Sequence, residues 1–140
     1  MPVTYEFDDC TIALRMIGSY ETAEIRSALL EALAHPACPS IVGLLFDVRE
    51  SRSITGRTAD EVRAMAEFLA SIADRFGRRM AMLADTDAAF GLMRLGAVGV
   101  ERHGVDSQVF RNAADADAWL KRDAREGLTF QEPARPRRAQ

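Results

Sequence analysis

"LLFDVRESRSITGRTADEV", residues 44–62, decides the fold. Its first residues close an apolar run, "IVGLLFDV", that has no polar alternation. A strand covered on both faces reads this way, whereas a strand with one wet face alternates. The run stops at Asp47, and a polar loop with the hydroxyls of Ser51, Ser53, Thr55 and Thr58 follows. Then the period changes. Val62, Met65, Ala66, Leu69, Ile72, Ala73 and Phe76 recur as one stripe of an amphipathic helix. Thr58 and Glu61, three residues apart, make a capping box. Asp60 and Glu61 lie at the positive end of the helix dipole, Arg75 lies near its negative end, and Gly77 suits the C′ position. Buried strand, loop and amphipathic helix together are the unit from which parallel sheets are built.

The same units extend in both directions. Upstream, Val3, Tyr5 and Phe7 alternate, as do Ile12, Leu14 and Met16, with "DDC" between them. This predicts an antiparallel hairpin, closed by Gly18. In "ETAEIRSALLEALAHP", residues 21–36, Ile25, Ala28, Leu29, Ala32 and Leu33 form a helical stripe. Ser19 or Thr22 is the expected cap, and Pro36 forbids continuation. Downstream, "RMAMLA" is a short buried strand, and Asp85 or Asp87 is the expected cap of a helix through "AAFGLMRLGAVGVE". "SQVF" is a last strand, and Asn112 caps a final helix that holds Ala116, Trp119 and Leu120. The predicted order is β-β-α-β-α-β-α-β-α. This is one α/β domain over residues 1–125, with a mixed five-stranded sheet, a parallel core, an antiparallel edge and packed helices. From Glu126 the periodicity fails, and residues 126–140 read as a flexible, arginine-containing tail.

Composition narrows the function classes. The chain has 140 residues and a net charge of −3, with acidic and basic residues interleaved and Lys121 the only lysine. No basic face emerges, which argues against nucleic acid as a partner. Cys10 and Cys38 have no motif spacing, and the start, "MPVTYEFDD", lacks a basic segment followed by an apolar one. The expectation is a cytoplasmic protein with reduced thiols. No apolar run approaches the roughly 20 residues of a membrane span, so an integral membrane protein is not expected.

The opening hairpin, "LLFDVRE", "FGLMRLGA" and "VFRNAADADAWL" together resemble the SpoIIAA-like proteins. These belong to the anti-sigma-factor-antagonist (STAS) fold and are grouped with Sec14-like (CRAL-TRIO) lipid-binding domains. The resemblance covers roughly residues 3 to 121, with FG-x-x-R and VF-R…A-x-x-WL as its more specific parts. It implies a STAS-like fold and a regulatory protein–protein role. It further implies a serine or threonine at the start of the second helix whose phosphorylation selects the partner. The Asp-Ser-(Ser/Thr)-Gly motif of that switch is replaced here by "SITGRTADE", which leaves Thr55 and Thr58 as the phosphorylation candidates. The Sec14-like side of the resemblance implies a lipid or other small apolar ligand.

Two candidate sites come from the residues themselves. Arg49, Arg52 and Arg57 follow the buried strand, and Arg111 follows the last one. Ligands of open α/β sheets bind beyond the carboxyl ends of the strands, so these arginines are candidates for a polar or anion site. The competing reading pairs Asp47 with Arg49 or Arg111 and leaves Thr58, Asp85 and Asn112 as caps. The second candidate is the third helix. Phe90, Met93, Ala97 and Val100 mark one apolar face, with Arg94 beside it, and Leu92, Leu95 and Val98 mark another. One side must pack on the sheet; the other is expected to be deep core, to meet a second copy of the protein, or to roof a pocket for a small apolar ligand. Gly91, Gly96 and Gly99 cost about 1 kcal/mol each in a helix relative to alanine, so tertiary contacts must offset them. No nucleophile motif, glycine-rich phosphate loop, acid/base pair or metal-ligand spacing is present. The expectation is a non-enzymatic module with no catalytic residue, metal or cofactor, binding a protein partner or itself.

Overall fold

The two alternating runs form the antiparallel pair that their spacing predicts. In a computed structural model, which describes residues 2–8, 10–38, 40 and 43–121, β1 (Val3–Asp8) pairs with β2 (Thr11–Gly18), and Val3, Tyr5 and Phe7 stand opposite Met16, Leu14 and Ile12. α1 (Thr22–Ala34) leads to β3 (Gly43–Ser51), and α2 (Ala59–Ser71) leads to β4 (Arg79–Leu83). α3 (Asp87–Glu101) leads to β5 (Asp106–Phe110), and α4 covers residues 113–121. The expected tail, residues 126–140, lies outside the described residues.

The sheet runs in chain order, β1-β2-β3-β4-β5, with β2 to β5 parallel. Right-handed crossovers between neighbours in chain order carry their helices to one face. Accordingly Ile25 and Leu29 of α1, Ala66 and Leu69 of α2, and Met93 and Val100 of α3 share one core with Leu14, Phe46, Val48, Met80 and Met82. α4 takes the opposite face, where Ala116 and Leu120 pack with Ala81, Leu45 and Phe110.

Several local expectations are corrected. β3 does not end at Asp47 or Val48 but continues to Ser51. A bulge inserts one residue of β3 between the pairs Arg15–Asp47 and Ile17–Glu50, so the polar residues stay in the ladder. The cap of α1 is Glu21, whose N–H donates to the Glu24 carboxylate at 2.7 Å, rather than Ser19 or Thr22. The cap of α3 is Thr86, whose hydroxyl accepts from the Ala89 N–H at 3.2 Å, rather than Asp85 or Asp87. α2 stops at Ser71, and Ala73–Phe76 forms a 3₁₀ turn that ends at Gly77 in the left-handed region, φ 74°. The glycine position was legible; the switch to the tighter turn was not.

One of the three helix glycines has a packing role that a side chain would disturb. A Cβ on Gly99 would lie 2.9 Å from the Ala66 Cβ, and one on Gly96 would lie 3.7 Å from a Val62 methyl. Gly99 thus lets α2 and α3 approach along Ala66. Gly91 faces open space. Gly91→Ala is therefore expected to stabilise the protein by up to about 1 kcal/mol through helix propensity. Gly99→Ala is expected to destabilise it, because overpacking costs about 1–3 kcal/mol against the same gain. Urea denaturation of both variants checks the opposite signs.

Candidate functional site

The polar loop after β3 is organised by a residue that the sequence reading passed over. Tyr20, in the segment between β2 and α1, is 4% exposed. Its hydroxyl lies 2.7 Å from the Ser51 Oγ, and its N–H donates to the Ser53 Oγ at 3.0 Å. Ser51 Oγ also accepts from the Ile54 N–H at 3.1 Å. Arg57 closes the cluster: its guanidinium donates to the Tyr20 carbonyl, sits 5.0 Å from the centre of the Tyr20 ring and pairs with Glu61 at 3.5 Å. Two of the loop's four hydroxyls are thus spent on binding β3 to the β2–α1 junction. A lone tyrosine two residues after a strand-ending glycine was the available signal. Burial pushes the Tyr20 phenol pKa up, against a smaller opposing effect of the Ser51 hydrogen bond and the Arg57 charge.

Beneath this cluster lies a cavity of about 60 Å³ between the sheet and α1, α2 and α3. Met65, Met80, Met82 and Met93 contribute to its walls with Ile25, Phe46 and Leu69, while Tyr20, Arg57 and Glu61 stand at its polar end. Size decides what it can hold. It is less than half of the roughly 150 Å³ that encloses a benzene-sized guest, and far below the about 300 Å³ of the smaller ligand pockets. A lipid does not fit without movement of the walls. Methionine is the side chain best able to make that movement, being unbranched and polarisable.

The candidate arginines do not converge. Arg49 clamps the buried Asp47, donating from Nε to Oδ1 at 3.1 Å and from Nη2 to Oδ2 at 3.0 Å, while its own N–H also reaches Oδ1 at 3.0 Å. Asp47 pairs with Leu83 across the ladder and so lies on the face that carries α4. Arg57 belongs to the opposite face, with Tyr20. Arg111 pairs with Asp87 at 2.9 Å and lies 4.4 Å over the Phe90 ring. Arg52 is exposed, and its N–H donates to the Gly18 carbonyl at 2.8 Å. The side chains of Arg49, Arg57 and Arg111 are each engaged in a separate structural tie.

Thr58 is a cap, as its spacing with Glu61 predicts. Its Oγ1 accepts from the Glu61 N–H at 3.1 Å, and its own N–H donates to Glu61 Oε1 at 2.9 Å. That last bond is the main cause holding the Glu61 carboxyl below its usual pKa. A phosphate on Thr58 would break the box and meet the Asp60 and Glu61 charges. The Thr55 side chain lies outside the described residues.

The two faces of α3 differ in exposure, except that Leu92 of the second face is half-buried and packs against the core. Met93, Ala97 and Val100 are buried, and Met93 and Val100 line the cavity. Phe90 is half-buried under Arg111, and Arg94 is exposed. The first apolar face is therefore core and cavity wall, not a docking face. Leu95 and Val98 are 49% and 50% exposed. They border a groove of about 230 Å³ between α2 and α3, together with Ala59, Ala66, Gly99 and the polar Arg63, Glu67, Arg102 and His103. Among the described residues, no three His, Cys, Asp or Glu side chains gather as metal ligands, and no helix is long and apolar enough to cross a membrane. Comparison with protein-family models, with curated proteins and with solved structures found no match.

The buried phenol generates a pH prediction. Tyr20 ionises later in the folded chain than in the unfolded chain, so its contribution is complete below about pH 10 and is lost as pH rises through the raised folded value. Tyr20→Phe is expected to cost about 1 kcal/mol at neutral pH through the Ser51 hydrogen bond. The gap between wild type and variant should narrow above about pH 10. Part of the alkaline slope will persist in the variant, because a hydrogen bond to Glu31 raises the Tyr5 phenol too. Denaturant titrations from pH 8 to 11 measure this, and a constant gap would contradict a buried phenol.

Proposed function

We propose that the protein is a non-catalytic, cytoplasmic, STAS-like module that binds a protein partner through the outer surface of α2 and α3, with a second copy of itself as the first partner to test. The observation that carries this reading is the exposed pair Leu95 and Val98 beside the α2–α3 groove. They stand one turn apart on a helix whose other side is already saturated by the core, so packing inside the domain does not explain them. Burying each against a partner is worth about 1.5–3 kcal/mol at full burial, enough for the pair to decide whether an interface holds. The α/β element order supports the STAS-like reading at the level of fold, and fold alone does not define a partner. Sedimentation velocity tests the self-association. Wild type is expected to dimerise at micromolar concentration, and Leu95→Glu/Val98→Glu is expected to be a folded monomer. A wild-type monomer across the concentration range removes self-association. A charge at Met93 would instead be buried and would test folding.

A second reading, a small apolar ligand, has the methionine-lined cavity in its favour. The ligand would be uncharged, because the Arg57–Glu61 pair at the polar end is neutral as a unit. The cavity volume limits it to a group smaller than benzene unless the methionines move. Native mass spectrometry of freshly purified protein, with thermal shifts against small alcohols, fatty acids and phospholipids, is the check. A clean apo mass with no shift from any of them ends this reading, and a shift from the small alcohols alone identifies the cavity as rigid.

A further inference from the structure

Among the described residues, no strand pairs with the outer edge of β1, and a groove runs beside it. The Ile17 N–H donates to the Pro2 carbonyl at 2.6 Å, so Pro2 and Ile17 form a hydrogen-bonded pair. Pairs alternate along antiparallel strands, which turns the N–H and C=O groups of Val3 and Tyr5 away from β2, toward the edge. No hydrogen bond between described residues uses these outward groups. Beside them runs a groove of about 360 Å³ between β1 and α1. Its α1 wall combines the small residues Ala23, Ser27 and Ala28, which leave room for a backbone, with the longer Glu24 and Glu31. From Ala23 to Glu31 the wall is about 12 Å long, the length of three to four strand residues.

The geometry points to this edge as a strand-addition site for an extended peptide segment carrying basic side chains. Such a segment continues the sheet by main-chain hydrogen bonds to Val3 and Tyr5, and alternate side chains point to the two faces. On one face they meet Glu24 and Glu31 at the groove wall, and on the other they meet the exposed Glu6. Acidic groups on both sides select alternating arginine or lysine on at least one side. The same charges disfavour a second copy as occupant. A second β1 edge would bring its own Glu6, Glu24 and Glu31 to the site in place of the cations that the site selects.

The probe is an amidated hexapeptide alternating arginine and valine, with a matched peptide N-methylated at every second residue to remove the ladder donors. Fluorescence anisotropy is expected to give saturable binding of the first peptide, with affinity falling as salt rises. The N-methylated peptide should bind at least tenfold more weakly, and so should the parent peptide to Glu6→Lys/Glu31→Lys protein. Amide NMR shifts should concentrate at Val3 and Tyr5. The N-methylated peptide leaves the protein unaltered, so its result stands even if the double variant folds poorly. Equal binding of both peptides, no binding of either, or shifts spread away from β1 overturns the inference. So does a wild-type dimer that Glu6→Lys/Glu31→Lys alters and Leu95→Glu/Val98→Glu does not, which would assign the edge to a second copy.

Discussion

Four parallel strands in chain order place three crossover helices on the same face, and most of the structure follows from fitting them there. Five strands about 4.8 Å apart span about 19 Å between the outer axes. Three helices side by side at 8–10 Å need about 16–20 Å. The two widths are comparable. The antiparallel strand β1 supplies the last strip of platform, and α1 lies partly over it, with Tyr5 bonded to Glu31 at 3.0 Å. At the other side, α2 and α3 close up at Gly99 and Ala66. Gly99, which weakens α3 as an isolated helix, is what lets α3 approach α2 on that face.

Crowding on one face explains the division of labour between the two sides of the sheet. The helical face is nearly all apolar and holds the cavity, where α1, α2 and α3 do not quite meet above Phe46, Met80 and Met82. Among the described residues, the other face carries only α4, and it is laced with ions: Arg15 with Glu50, Asp47 with Arg49, and Arg79 with Asp106 at 2.7 Å. Arg79 also lies 4.1 Å over the Trp119 ring of α4. Exposed pairs of this kind contribute little each, about 0–1 kcal/mol. The Asp47 clamp differs because its carboxylate is 6% exposed and would be left desolvated without Arg49.

Much of this was legible in the residues. Alternation placed the β1–β2 hairpin, short apolar runs placed β3 and β4, helical stripes placed α1 and α2, and the Thr58–Glu61 spacing identified its capping box. Caps made by a long side chain, as at Glu21, or by the middle residue of "DTD", Thr86, depend on where the chain turns, which periodicity does not report. The end of β3 was misplaced for a related reason. Arg49 and Glu50 look like loop residues, but ladder hydrogen bonds are made by the backbone, and a bulge keeps them in register.

The sequence by itself determined the alternation of strands and helices, the parallel core and the doubly apolar character of α3, because each depends on neighbours a few residues apart. Which apolar face of α3 is core, why Gly99 is there and Gly91 need not be, and that Tyr20 rather than an arginine cluster organises the loop were decided only in three dimensions. Each depends on residues from different crossovers, Ala66 against Gly99 or Tyr20 against Ser51, Ser53 and Arg57. Their juxtaposition is set by the width of the sheet and the hand of its connections, and no local pattern encodes either.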